Sequence, residues 1–362
     1  MGEAAALHVR GVVLPDDEER DLYVVAGRLT YQPVPGAETV ATGGWVLPGL
    51  VDAHCHVGLS PDGAVTEMEA LLAQARTDRD AGALLIRDCG APVDTRPLAD
   101  RPDLPRIIRA GRHLARPKRY VRDIGIEVEP EQLPAAVEEQ AAYGGGWVKL
   151  IGDWIDREVG DLAPLWPGDA LCAAVDRAHA AGARVAVHVF GEEALPDLLA
   201  AGVDSVEHGT GLTDDLLATM ARQGTALVPT LINIDNFPGI AETASKYPAY
   251  GARMRRLHGT ARQRLRAAYE AGIPIYAGSD AGGGVEHGRV GEEIRALHAA
   301  GLPAAEALAA GSWAARAWLG LPGLAEGAPA DLIVYPTDPR TDLRVLAAPT
   351  RTILRGRVVV RP

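Results

Sequence analysis

The sequence predicts an α/β fold: a (β/α)8 TIM barrel with a small β-sandwich domain built from both chain termini. Eight apolar strand candidates alternate with helical segments over about 270 residues, close to the ~250 residues of a typical barrel. The two ends of the chain contain short strands and turns instead, without helical periodicity. A doubly wound open sheet is the competing architecture. Because no Gly-rich dinucleotide turn follows the first strand, the barrel is favoured.

The small domain is predicted from strands at both ends of the chain. The N-terminal stretch contains "ALHVRGVVL" and "DLYVVAGRLT", and the C-terminal stretch contains "ADLIVYP" and "TILRGRVVV". Neither end has enough strands for a stable sheet by itself. We therefore expect residues 1–48 and 324–362 to pack together as the β-sandwich, and residues 49–323 to form the barrel.

Within the predicted barrel, short apolar runs alternate with longer amphipathic segments. The predicted strands are 49–56, 83–90, 105–111, 147–153, 183–191, 203–209, 226–231 and 273–280. The segment 65–81 is typical of the helices, because its apolar residues fall on one face. Those residues are Val65, Met68, Leu71, Leu72 and Ala75. Several helices end at a glycine suited to a left-handed C-cap, namely Gly82, Gly182, Gly202, Gly224 and Gly272.

The composition excludes several classes of function. The chain has 362 residues, is 47% hydrophobic and carries a net charge of −12. We expect no secretory signal and no membrane partner, because no basic-then-apolar leader and no apolar run near ~20 residues is present. An acidic chain with scattered Lys and Arg is a poor candidate for nucleic-acid binding. With three widely spaced cysteines, these features predict a cytoplasmic homo-oligomer that acts on a small molecule.

Two histidines lie two positions apart at the end of the first predicted strand, in "WVLPGLVDAHCHVGL". His54 and His56 point the same way, because side chains alternate between the faces of a strand. Asp52 joins them on that face. His188 and His208 end the fifth and sixth predicted strands.

Two further polar residues are predicted at the same edge of the sheet. Lys149 lies near the end of the fourth strand, and Asp280 ends the eighth. In a barrel all these strand ends meet at one mouth, where active sites are built. Imidazoles and a carboxylate are suitable ligands for Zn²⁺ and related divalent metals. A single histidine on a strand is more often a hydrogen-bonded core residue, but the combination favours a metal site. His113 and His287, on loops at the mouth, are weaker candidates for substrate contacts.

Lys149 is unexpected in this set of ligands. Its ammonium group would face a metal cation, which is electrostatically unfavourable unless the charge is neutralised. Addition of CO₂ to the amine would give a carbamate anion that can bridge two metal ions. The alternatives are an ordinary lysine paired with Asp153 or Asp280 beside a single metal, and a Schiff-base lysine, which would leave the histidines without a role.

At these residues the chain resembles the metal-dependent amidohydrolase superfamily, and most closely its imidazolonepropionase-like and prolidase-like branch. The resemblance is carried by "PGLVDAHCH", by the lysine of the fourth strand, by the histidines ending the fifth and sixth strands, and by "AGSD". The terminal "ADLIV" also resembles the β-sandwich of that superfamily. One departure lies after the third strand, where the branch often carries Gly-Gly-His and this chain has "AGRHLARPKRYVRDIG".

The resemblance implies a binuclear site and a reaction. His54, His56 and Asp280 would bind one metal ion, His188 and His208 the other, and carboxylated Lys149 would bridge them, with Zn²⁺ as the expected ion. Hydroxide activated by the metals would attack a C–N amide bond, with Asp280 as general acid and base. The alternatives are a mononuclear cyclic-amide hydrolase, a heterocycle deaminase, and an inactive scaffold that should have lost ligands.

A basic stretch predicts the kind of substrate. In "RAGRHLARPKRYVR", Arg112 and Arg116 belong to a loop that borders the predicted mouth. Arginine binds carboxylates in a bidentate manner, so we expect a dipeptide or an N-acyl amino acid with a carboxylate near the scissile amide. The competing interpretation is a solvated loop whose charges pair with Asp123, Glu127 or a neighbouring subunit.

Overall fold

A computed structural model describes residues 5–99 and 101–359 of the chain. The β-strands are β1 (Leu7–Val13), β2 (Glu18–Val25), β3 (Arg28–Thr30), β4 (Glu38–Pro48), β5 (Leu50–Cys55), β6 (Leu59–Ser60), β7 (Gly63–Ala64), β8 (Ala83–Asp88), β9 (Arg106–Arg109), β10 (Leu114–Ala115), β11 (Ile126–Glu127), β12 (Trp147–Ile151), β13 (Asp153–Asp156), β14 (Asp161–Pro164), β15 (Arg184–Val189), β16 (Ser205–His208), β17 (Ala226–Val228), β18 (Leu332–Tyr335), β19 (Arg351–Leu354) and β20 (Arg357–Val358). The α-helices are α1 (Met68–Asp80), α2 (Leu133–Tyr143), α3 (Gly168–Ala180), α4 (Leu195–Ala200), α5 (Asp214–Gln223), α6 (Leu231–Ile234), α7 (Phe237–Thr243), α8 (Pro248–Glu270), α9 (Val290–Ala299), α10 (Ala304–Ala310) and α11 (Trp313–Trp318). Strands and helices alternate along the central part of the chain, as in an α/β fold.

The strands of the two chain ends form one seven-stranded sheet, in the order β20-β19-β18-β4-β1-β2-β3. The antiparallel pairing of β18 with β4 joins the C-terminal part to the N-terminal part. Val9, Leu22 and Leu332 are among its fully buried side chains. The association of the two ends is as predicted, whereas the sandwich form and the domain boundaries stay predictions. The outer ends of those domains, residues 1–4 and 360–362, lie outside the described residues.

The central strands are parallel and run in two sheets. One sheet has the order β5-β8-β9, and the other has the order β11-β10-β12-β15-β16-β17. All the parallel strands predicted from the first to the seventh are found, each two or three residues shorter than predicted. The residues of β5, β8, β12 and β16 are all buried because helices cover the sheets, whereas those of β9 are half-buried.

The eighth predicted strand, 273–280, is not a regular strand. Within this fully described segment only Ile275 forms a β-bridge, to Leu227. Pro274 has no N–H to donate to a ladder. The segment is held on both sides nevertheless: Tyr276 N donates to Leu227 O at 3.0 Å, and Ala53 N donates to Ala277 O at 2.8 Å. It therefore lies between β17 and β5.

The helices pack their apolar faces on these sheets. Leu71, Leu72 and Ala75 of α1 are buried as predicted, but Met68 is 45% exposed because it is the first residue of the helix. At the end of α5, Gly224 adopts φ 72°, and its N–H donates to Met220 O, as expected for a left-handed C-cap. Among the described helices, none combines the length and apolar character needed to cross a bilayer.

Candidate active site

The ends of the central strands border a cavity of about 380 Å³. Its lining includes all six residues predicted as metal ligands: His54, His56, Lys149, His188, His208 and Asp280. The other side chains that line it are Leu59, His113, Tyr120, Val121, Trp154, Phe190, Asn233, Asn236, Ile240 and Tyr250. The structure thus brings residues from strands far apart in sequence to a single concave site.

Three of the predicted ligands are in mutual contact. The Nε2 atoms of His54 and His56 are 3.1 Å apart, and each lies 3.0–3.2 Å from Asp280 Oδ1. Burial acts to raise the pKa of Asp280, but the neighbouring His54 and His56 hold that pKa well below its usual value. A carboxylate oxygen and two imidazole nitrogens at this spacing suit a divalent cation.

The second nitrogen of each of these histidines is held by the protein. His56 Nδ1 lies 2.7 Å from Gly90 O, and His54 Nδ1 lies 2.7 Å from Glu207 Oε2. Donation through Nδ1 leaves both Nε2 atoms with a free lone pair, which is the form that binds a metal. The arrangement therefore favours the tautomer that a metal site requires.

Glu207 is part of a buried network that the sequence did not predict. It has no exposed surface, and both its oxygens accept hydrogen bonds from Arg87 Nη2, at 2.7 and 2.8 Å. Burial acts to raise the pKa of Glu207, but Arg87 and His54 hold that pKa well below its usual value. One signal was available: Arg87 lies within an apolar strand, where a buried cation requires a buried carboxylate partner.

Glu207→Gln is expected to weaken metal binding about 10–100-fold, because the carboxylate that orients His54 is lost. The same change leaves Arg87 without its counter-charge, so we also expect a loss of about 3–5 kcal/mol of unfolding free energy. Arg87→Met is the control, since it breaks the ion pair but keeps the contact between Glu207 and His54. Equal metal affinity for the two variants, measured by chelator competition, would assign Glu207 to stability alone.

The other three predicted ligands are also buried in the lining of the cavity. His208 and His188 are 4–5% exposed, and Lys149 is 1% exposed. Burial lowers the pKa of His208 to about 3 and that of His188 well below its usual value, so both imidazoles are neutral at pH 7. Lys149 Nζ is buried and has no hydrogen-bond partner within residues 5–99 and 101–359. An ammonium group in that position is costly, so an additional group that neutralises it fits the site.

Asp52 joins the strand of the histidine pair to the segment that carries Asp280. Its carboxylate accepts hydrogen bonds from the backbone N and the hydroxyl of Ser279, at 2.9 and 2.5 Å. Asp280 N in turn donates to His54 O at 2.7 Å. Asp280 is therefore placed against His54 even though residues 273–280 lack a continuous ladder.

Of the predicted substrate contacts, only His113 lines the cavity. Its ring stacks at a tilt against His56, with centroids 5.1 Å apart, and neither of its nitrogens has a partner in the described part of the chain. Burial lowers the pKa of His113 well below its usual value, with His56 and Lys149 adding to the effect. A neutral imidazole with free hydrogen-bonding capacity faces the predicted metal ligands.

His287 lies outside the cavity lining, contrary to the prediction. Its Nδ1 contacts Asp78 Oδ2 at 2.8 Å and Cys55 Sγ at 3.8 Å, on the face of β5 opposite His54. Asp78 also accepts a hydrogen bond from Gly288 N at 2.7 Å. The buried carboxylate of α1 thus draws His287 away from the mouth and ties its loop to the helix.

The two predicted arginines do not line the cavity either. Arg112 Nη2 donates to Ile124 O at 3.4 Å, and Arg116 pairs with Glu129 at 3.4 Å. A third residue of the basic stretch, Arg119, donates to Asp156 and to the backbone oxygens of Trp154 and Ala163. Arg119 therefore supports the β13–β14 hairpin, whose Trp154 forms part of the cavity wall.

Comparison with known proteins gives the family. The Amidohydrolase family profile matches residues 45–359. An uncharacterized protein of Mycobacterium bovis and one of Mycobacterium tuberculosis are each 61% identical over 355 residues, covering 98% of this chain and 96% of the relative.

Solved structures of similar fold extend over the whole chain. A Xaa-Pro dipeptidase with bound methionine gives a TM-score of 0.83 at 22% identity and covers 99% of this chain and 100% of its own. A prolidase candidate from Bifidobacterium longum gives 0.85 at 26%, with 100% and 96% covered. The ochratoxinase of A. niger gives 0.80 at 19%, with 99% and 96% covered. The chain belongs to the amidohydrolase family and is a hydrolase that acts on C–N bonds.

Proposed function

We propose that the protein hydrolyses an amide bond of a small molecule, of the dipeptide or N-acyl amino acid type, at a site with two divalent metal ions. The observation that carries the proposal is the convergence of six ligand-type residues on one cavity, with the buried and unpartnered Nζ of Lys149 among them. A family that uses divalent metals and structural neighbours that include a dipeptidase support it.

In this proposal His54, His56 and Asp280 would hold one ion, and His188 and His208 would hold the other. Lys149, carboxylated by CO₂, would be an anionic ligand shared by both ions, in place of the unfavourable buried ammonium group. Zn²⁺ is the expected ion, because imidazole-rich sets suit it, although availability in the cell also selects the metal.

The reaction would use few groups of the chain itself. Bound divalent metal ions lower the pKa of water and polarise a carbonyl. Asp280 Oδ1 faces His54 and His56, whereas Oδ2 faces Asn233 and accepts a hydrogen bond from its Nδ2 at 2.7 Å. Asp280 would accept the proton of the attacking water and transfer it to the leaving nitrogen. His113, neutral and free, is placed to hydrogen-bond a substrate oxygen.

The proposal includes the architecture that would bring these groups together. We propose that the seven parallel strands and the segment 273–280 close into a (β/α)8 barrel over residues 49–323, with the site at the carboxyl ends of its strands. Residues 1–48 and 324–362 would form the β-sandwich. A cytoplasmic location and a homo-oligomeric state are further parts of the proposal.

One observation favours the mononuclear alternative, a cyclic-amide hydrolase or heterocycle deaminase. The contacts among His54, His56 and Asp280 already provide three ligands for one ion. In that case Lys149 would stay an amine. The number of bound ions separates the two possibilities.

The experiment combines metal analysis with a substrate panel. Protein purified without chelator is expected to hold two ions per chain, and chelation is expected to abolish turnover until the metal is restored. The panel contains dipeptides, N-acyl amino acids, lactams and aminated heterocycles. One ion with lactam or heterocycle turnover would replace the proposal with the alternative, and metal-independent turnover or none at all would overturn it.

A matched pair of substrates tests the predicted carboxylate. Because Arg112 and Arg116 lie off the cavity lining, we expect an N-acyl amino acid and its methyl amide to respond equally to Arg112→Ala and Arg116→Ala. A kcat/KM that falls only for the acid in those variants would restore the arginines as substrate contacts.

A further inference from the structure

Three non-glycine residues in contact at the site adopt the left-handed backbone conformation. His208 has φ 68°, Asp280 has φ 59°, and Thr230 has φ 48°. For a β-branched residue such as Thr230 this conformation is a clear outlier. Strain of this kind persists only where the surrounding structure enforces it, and it is concentrated at functional sites.

Thr230 and the short helix that follows it contact two predicted metal ligands at once. His208 Nδ1 lies 2.7 Å from Thr230 Oγ1, and Asn233 Nδ2 donates to Asp280 Oδ2 at 2.7 Å. Thr230 has no exposed surface. Residues 230–233, here called the Thr230 turn, therefore join a ligand of each proposed metal ion.

A buried carboxylate from another helix holds this turn. Glu293 of α9 has no exposed surface, and its two oxygens accept hydrogen bonds from Leu231 N at 2.8 Å and Ile232 N at 3.0 Å. Both N–H groups belong to the first turn of α6, which has no earlier carbonyl to bond them. With Glu293 in place, the turn can maintain the unfavourable φ of Thr230.

We propose that the Thr230 turn is a positioning element for metal binding. Thr230 Oγ1 accepts a hydrogen bond from His208 Nδ1–H, which leaves Nε2 of His208 free to bind the metal. Asn233 Nδ2 donates to Oδ2 of Asp280, so that Oδ1 faces the histidine pair. Glu293 anchors the turn. The inference rests on the proposed metal site but is independent of the substrate.

The test compares three single variants by metal affinity. Thr230→Val keeps the shape and the branched Cβ but removes the acceptor for His208, so we expect metal binding about 10–100-fold weaker by chelator competition. Thr230→Ser restores the hydroxyl and should restore most of the affinity. Thr225→Val is the matched control, because Thr225 is also buried and its hydroxyl donates a hydrogen bond to the backbone oxygen of Val203. Thr225 precedes the first residue of β17, whereas Thr230 follows its last residue, at the end that borders the site.

Two further measurements separate positioning from stability. The melting temperature of each metal-free variant shows whether Thr230→Val and Thr225→Val lose comparable stability, and the Co²⁺ absorption spectrum reports the ligand geometry. The proposal expects an altered spectrum for Thr230→Val alone. If Thr230→Val does not fold, Thr230→Ala carries the same expectation.

The outcomes distinguish this inference from the proposed function. If Thr230→Val binds metal as tightly as Thr225→Val, the inference is overturned while the metal site stands. If the unaltered protein binds no metal ion, the proposed function fails, and the inference fails with it. Metal bound normally, without turnover of any compound in the panel, would overturn the proposed amide hydrolysis and leave this inference standing.

Discussion

Lys149→Ala is expected to lose at least one of the two proposed metal ions and nearly all turnover. The Nζ of Lys149 is buried without a partner among the described residues, inside a cavity lined by four histidines and Asp280 that are predicted to bind metal. A free ammonium group there would repel the ions, whereas a carbamate would bind both. In the proposed site, removing the side chain would take away an anionic ligand of both ions. Metal analysis and turnover of the same preparation measure both effects.

The chemistry of the bridge can be tested apart from the loss of the side chain. Acetate or formate could occupy the space left in Lys149→Ala and supply the missing carboxylate, so we expect partial rescue of metal content and activity. Lys149→Arg should not be active, since a guanidinium group does not take up CO₂. Incorporation of ¹³C-labelled bicarbonate gives a direct signal. An active arginine variant with two bound ions, or a site that reconstitutes fully without CO₂, would exclude the carbamate.

Asp280→Asn is expected to slow kcat by about 10²–10⁴-fold while the protein stays folded, because removal of a general base costs that much. The amide preserves the shape of the side chain, so the substitution should leave the surrounding packing intact. The amide can neither accept the proton of the attacking water nor bind a metal ion as an anion. Turnover with saturating metal, together with thermal unfolding of the same sample, gives the result.

The control for Asp280→Asn is Asp52→Asn, because the Asp52 carboxylate lies near the site but bonds a neighbouring segment of the protein instead of lining the cavity. Asp52→Asn alters a buried group that bonds Ser279, so it should reduce stability with a smaller effect on kcat. A loss of only a few-fold in Asp280→Asn would assign proton transfer to another group. His113 then becomes the first candidate, because His287 is bonded to Asp78 away from the cavity.

The placement of the predicted ligands follows from local pattern. His54 and His56 share a face because side chains alternate along β5, and strand ends in a parallel α/β fold lie at one edge. Residues that end apolar strands, such as His188 and His208, could therefore be assigned to the same site from position alone. The same rule predicted a regular strand at 273–280, where none is found. Pro274 cannot donate to a ladder there, and individual hydrogen bonds to the neighbouring strands hold the segment instead.

The partners of these ligands depend on tertiary structure, since they join residues far apart in the chain. The contact of His54 with Glu207 spans 153 residues, and that of Asp280 with Asn233 spans 47. Charge and loop position were also insufficient to place Arg112 and His287, because each side chain bonds whichever acceptor the folded chain brings close. The sequence by itself determined which groups meet at the strand ends. Only packing decided which nitrogen, oxygen or charge each group presents there, because a buried polar atom must be satisfied by its neighbours in space.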